Sequence, residues 1–180
     1  MRRTRRFTSV VACLLALLVS AALVTARGAP ATAATPLTMY QLVNVRSLSC
    51  LQQNGVSDAV YAGTCGANHS AMWTKTWKGS GFWLVNVHSG QCVSVAGSAV
   101  GSPIHMTLCN PSLPLDQQWN ASTGLPPQKG DFINTLVWMW NADSKLCLWQ
   151  GNPSASAVVQ STCASSTDEP RDLWVLNEVP

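Results

Sequence analysis

The feature that most constrains this chain is a block that occurs three times. Asn44-Val45-Arg46-Ser47-Leu48-Ser49-Cys50 aligns with Asn86-Val87-His88-Ser89-Gly90-Gln91-Cys92 and with Asn141-Ala142-Asp143-Ser144-Lys145-Leu146-Cys147. Each block has Asn six residues before Cys and Ser three before it. Each follows an apolar run (40–43, 82–85, 137–140) and is followed by Leu51, Val93 or Leu148. A second cysteine comes 15, 17 and 16 residues later, at Cys65, Cys109 and Cys163, and Trp73, Trp119 and Trp174 close the units. Successive first cysteines are 42 and 55 residues apart, and the longer interval contains the polar, Pro-rich stretch 124–130, which reads as a surface loop. A unit of about 45 residues is too small to hold a core of its own, so three copies imply one shared core.

The runs between cysteines are short, rich in Val, Trp and Phe, and broken by Gly, Ser, Asn and Pro, with no sustained helical period. This predicts an all-β domain of many short strands, a sandwich or a barrel. The units are expected at about 38–79, 80–123 and 133–179.

Residues 1–34 read as a secretory signal peptide: Arg2, Arg3, Arg5 and Arg6, then an apolar stretch over 10–24, then small residues at 31–34. An uncleaved anchor is the competing reading, and the apolar run is short for one. The paired arginines also fit a twin-arginine signal. Domain 35–180 then keeps six of eleven basic residues and all eight acidic ones, a net charge of 6 − 8 = −2 in place of +3. The basic balance belongs to the leader. No basic patch is left for phosphates, which argues against nucleic acid, and no cluster of Lys or Arg suits a membrane surface after cleavage. The six remaining cysteines, an even number in an exported chain, read as disulfides, and the repeats favour pairing within units: Cys50 with Cys65, Cys92 with Cys109, Cys147 with Cys163. Metal binding is disfavoured by spacing, with no C-x-x-C and no histidine pair at ligand distance. No cofactor is expected.

Unit two carries the clearest family motifs. Ser89-Gly90-Gln91-Cys92-Val93-Ser94-Val95-Ala96-Gly97, Gly101-Ser102-Pro103-Ile104-His105 and Asp116-Gln117-Gln118-Trp119 resemble the signature segments of ricin B-type lectins. Three such units in order, over about 38–179, resemble that family's β-trefoil. The resemblance implies twelve strands, a six-stranded barrel closed by three hairpins, with Trp73, Trp119 and Trp174 packed in its core. It also implies carbohydrate binding. In the family a carboxylate two residues after the first Cys, an aromatic two before the second Cys, and an amide from the Q-x-W region hold the sugar. This suits a ligand with one apolar face and a rim of hydroxyls.

Here the carboxylate position holds Gln52, Ser94 and Trp149, and the stacking position holds Gly63, Thr107 and Ser161. The glutamine position holds Ala71, Gln117 and Asp172. No unit keeps both carboxylate and aromatic. Unit two retains Asp116 and Gln117, with Ser94 and His105 as candidate polar partners; the favoured reading of His105 is an ordinary exposed strand histidine. In unit one Tyr61 is either a displaced stacking ring or a packed strand aromatic. In unit three Trp149 is either an exposed platform or part of a rearranged core, and Trp138 and Trp140 share one strand face.

Neither G-x-S-x-G nor H-E-x-x-H occurs, and Asp168-Glu169 adjoin in a polar loop, so no enzyme is expected. The expectation is a secreted, monomeric carbohydrate-binding protein. The alternative is a secreted protein-binding trefoil, a protease inhibitor or adhesion factor, that has lost sugar binding; an exposed loop at 124–130 would favour it.

Overall fold

The computed structural model describes residues 37–54, 58–123, 134–151, 157–163 and 170–180. The leader and the 124–130 stretch lie outside them. Unit one contains β1 (Met39–Asn44), β2 (Cys50–Gln53), β3 (Val60–Gly63) and β4 (Trp73–Lys78). Unit two contains β5 (Gly81–Asn86), β6 (Cys92–Val95), β7 (Ile104–Thr107) and β8 (Trp119–Ser122). Unit three contains β9 (Leu136–Asn141), β10 (Cys147–Gln150), β11 (Val158–Ser161) and β12 (Leu173–Val179). Single 3-10 turns at His69–Ala71 and Leu115–Gln117 precede β4 and β8. Among the described residues no helix is long and apolar enough to cross a membrane.

Six strands close on themselves. β1 pairs with β12 and β4, β4 with β5, β5 with β8, β8 with β9, and β9 with β12, all antiparallel. Closure leaves this sheet no open edge. Hairpins β2–β3, β6–β7 and β10–β11 cap one end. This is the β-trefoil that the resemblance implied, and it gives the three repeats the single shared core that they predicted.

The period of two along each barrel strand decides which residues face inward. Tyr40 and Leu42, Phe82 and Leu84, and Val137 and Met139 are the equivalent buried pairs of β1, β5 and β9. Leu51, Val93 and Leu148 come from the hairpins, and Trp73, Trp119 and Trp174 lie fully buried in the same core. Each indole N–H donates to an equivalent carbonyl: Trp73 to Leu51 (3.0 Å), Trp119 to Val93 (2.9 Å) and Trp174 to Leu148 (2.9 Å). A buried indole needs such a partner, and the repeat supplies it three times. The disulfides join Cys50 to Cys65, Cys92 to Cys109 and Cys147 to Cys163.

The repeated asparagine joins one unit to the previous one. Asn86 Oδ1 accepts from the N–H groups of His88 and Ser89, which shapes the turn after β5. Its Nδ2 donates to the Ser70 carbonyl of unit one at 2.9 Å and contacts that of Met72 at 3.4 Å. Asn141 reaches Asp116 and Gln118 of unit two, and Asn44 reaches Arg171 and Leu173 of unit three. All three asparagines are buried, so the ring of units is closed by satisfied amides.

Candidate functional site

The three hairpins share one register counted from both cysteines. Cys50 faces Gly63, Cys92 faces Thr107 and Cys147 faces Ser161. The different inter-cysteine spacings are therefore absorbed between the strands of each hairpin. The same positions meet in every unit: Gln52 opposite Tyr61, Ser94 opposite His105, Trp149 opposite Val159. Cross-strand neighbours of this kind are in contact range.

In unit two, the Leu115–Gln117 turn delivers Asp116 to the hairpin. Ser94, fully buried on β6, donates its hydroxyl proton to Asp116 Oδ2 at 2.7 Å. Asp116 is half-buried, and no hydrogen bond among the described residues reaches its Oδ1. His105, half-buried on β7 opposite Ser94, has a buried Nδ1 with no hydrogen-bond partner among the described residues. A carboxylate, a hydroxyl and an imidazole are thus grouped at one hairpin. The grouping differs from a nucleophilic relay, in which the imidazole takes the serine proton and the carboxylate orients the imidazole. Here the serine proton points at the carboxylate.

Gln117 serves differently. It is 4 % exposed; its Oε1 accepts from Asn110 N–H (2.8 Å) and its Nε2 donates to the Leu108 carbonyl (3.0 Å). Both amide atoms therefore clamp the turn bearing Asp116 against the segment around Cys109. The Asp116 carbonyl is held in turn by Asn141.

In unit one the equivalent space is filled from within. The Tyr61 hydroxyl donates to Gln52 Oε1 (3.0 Å), and Gln52 Nε2 donates to the Thr64 carbonyl (2.6 Å). A Cβ on Gly63 would fall 2.8 Å from the Tyr61 ring and 3.1 Å from the Gln52 amide. Glycine at the stacking position thus lets Tyr61 lie over the hairpin and cover Gln52. The Tyr61 hydroxyl is thus engaged within the unit, while the residue stays half-buried.

In unit three Trp149 is half-buried, with the Arg171 guanidinium 5.4 Å over its ring. Arg171 also reaches the Gly151 carbonyl at 3.4 Å. The ring is a cation–π partner within the unit. Trp138 and Trp140 lie on the outer face of β9, both half-buried, each with an indole N–H that has no hydrogen-bond partner among the described residues. The structure therefore brings together Ser94, His105, Asp116 and Gln117 and leaves Tyr61 and Trp149 in other units. Among the described residues no cluster of three His, Cys, Asp or Glu side chains could hold a metal ion.

Residues 31–107 match the family model described as ricin-type beta-trefoil lectin domain-like. No curated protein matches the chain. Among solved structures, ThreeFoil, a designed 3-fold symmetric protein, is similar at 20 % identity and TM-score 0.63, over 77 % of this chain and 96 % of that one. The ricin B-like lectin of Macrolepiota procera, solved in complex with lactose, is similar at 14 % identity and TM-score 0.64, over 81 % and 98 %. An exo-beta-1,3-galactanase from Clostridium thermocellum is similar at 19 % identity and TM-score 0.63, over 79 % of this chain but 30 % of its own. The chain spans less than a third of that enzyme.

Proposed function

We propose that this chain, which resembles ricin-type β-trefoil lectin domains over residues 31–107, binds carbohydrate outside the cell through unit two. The observation that carries this reading is the Ser94–Asp116 hydrogen bond beside His105. A sugar presents adjacent hydroxyls that donate well to a carboxylate and accept from a neutral donor. Asp116 Oδ1 accepts from a sugar hydroxyl, the buried Ser94 holds the carboxylate from beneath, and His105 supplies a polar edge and a small ring face. The carboxylate has moved across the site, from the position now held by Ser94 to the turn before β8. Gln117 braces that turn. Thr107 gives no aromatic platform, so polar contacts dominate recognition.

The protein acts as a binding module without catalysis, as a monomer, and is exported behind its leader. The disulfide framework supports the extracellular assignment. A second reading, recognition of a protein, is favoured by the outer face of β9. There Leu136 is 49 % exposed beside Trp138 and Trp140.

The test is a glycan and polysaccharide panel with the oxidised chain. Binding should be saturable, competed by free sugar, weakened about 10- to 100-fold in Asp116→Asn, and retained in Trp149→Ala. A folded protein that ignores the whole panel would exclude the lectin reading and send the search to protein partners.

A further inference from the structure

A separate cavity lies where the three hairpins meet. Each hairpin's second strand begins with a small residue that bridges to the next unit: Ala59 to His105, Pro103 to Val159, Ala157 to Tyr61. These positions are equivalent, six and four residues before the second cysteine. The three bridges form a triangle about the pseudo-threefold axis, and a pocket of about 530 Å³ is lined by residues of all three sides. Its deepest lining is Val60, Ile104 and Val158, which are buried core residues. Ala59, Pro103 and Ala157 are exposed at its rim, small enough to leave it open.

The chemistry of the walls selects the occupant. Among the described lining residues none is charged. The Tyr61 hydroxyl is already directed to Gln52, which leaves its ring, and Asn54 is the remaining polar side chain in the described lining. The side chains of this cavity offer an apolar floor and one amide at its lip, and backbone groups supply further polar surface. Its volume lies within the range of small-molecule sites.

We infer that this axial pocket binds a neutral small molecule with a substantial apolar surface, at a site distinct from the unit-two site. The inference does not rest on carbohydrate binding.

The test is a fluorescence titration of the oxidised chain with N-phenyl-1-naphthylamine, a neutral apolar probe. One saturable site per chain is expected. Ala157→Trp places an indole at the rim and should weaken the probe about tenfold or more with an unchanged unfolding midpoint. Ala59→Trp makes the same test from another unit and serves where the first variant does not fold. Asp116→Asn should leave the probe's affinity unchanged, so loss of sugar binding and loss of probe binding are separate results. No saturable signal, or equal affinity in both filled variants, overturns the inference.

Discussion

Replacing Trp119 by phenylalanine tests the core on which the three-unit argument depends. The substitution keeps a buried aromatic but removes the indole N–H that reaches the Val93 carbonyl at 2.9 Å. Met106, opposite Val93 in the hairpin, gives its own N–H to Asp58 at 2.7 Å, so the ladder does not take over that carbonyl. An orphaned buried acceptor costs about 1–3 kcal/mol. The missing ring atoms leave a small void worth about 1–2 kcal/mol more. The expected loss is about 2–5 kcal/mol, or about 4–20 °C in Tm for a domain of this size. Urea unfolding of the oxidised protein, followed by circular dichroism, reads it directly. Trp73→Phe and Trp174→Phe remove equivalent bonds to Leu51 and Leu148 and should each lie within about 1 kcal/mol of Trp119→Phe. Glycan binding in all three should persist below the unfolding transition. A cost under about 0.5 kcal/mol for any of them, in the range of ordinary surface substitutions, would refute the claim that these indoles hold the core.

Three further outcomes follow from the same geometry. Leu48 holds φ +56° while 74 % exposed, and Gly90 occupies the equivalent turn position of unit two. Leu48→Gly should therefore stabilise by about 0.5–1 kcal/mol, relief of left-handed strain outweighing the added freedom of the unfolded chain; a lower melting temperature would contradict this. Asn86→Ala removes a buried amide that shapes its turn and ties unit two to unit one, and should cost about 3 kcal/mol in chemical denaturation, whereas Asn68→Ala, at an exposed 3-10 cap, should cost about 1 kcal/mol. Replacing Cys92 and Cys109 together by alanine opens a 17-residue loop and should cost about 3 kcal/mol; free-thiol titration of the parent should find none among the six cysteines of residues 35–180.

The sequence by itself determined the architecture, because the determinants of architecture are periodic and local. Three Asn-to-Cys blocks, three closing tryptophans and strand-length apolar runs needed only alignment with one another to imply three units about one core. The runs 82–85 and 137–140 are apolar throughout, so which of their residues face inward was settled only by the barrel. Pairing of cysteines within units followed from the same repetition, and the structure has it.

What only the tertiary structure decided were relations between residues that no local pattern connects. The repeat displayed the asparagine three times, but its bonds to the preceding unit require barrel closure. Ser94 and Asp116 are 22 residues apart, and their contact depends on the turn before β8 folding back over the β6–β7 hairpin. Gln117 was legible as polar and near the site, yet its two bonds to backbone make it a brace. Tyr61 covers Gln52 because Gly63 leaves it room, a three-residue relation set by hairpin register. The axial pocket was invisible in any one unit, because a cavity on a symmetry axis belongs to none of the three and exists only once all of them have packed.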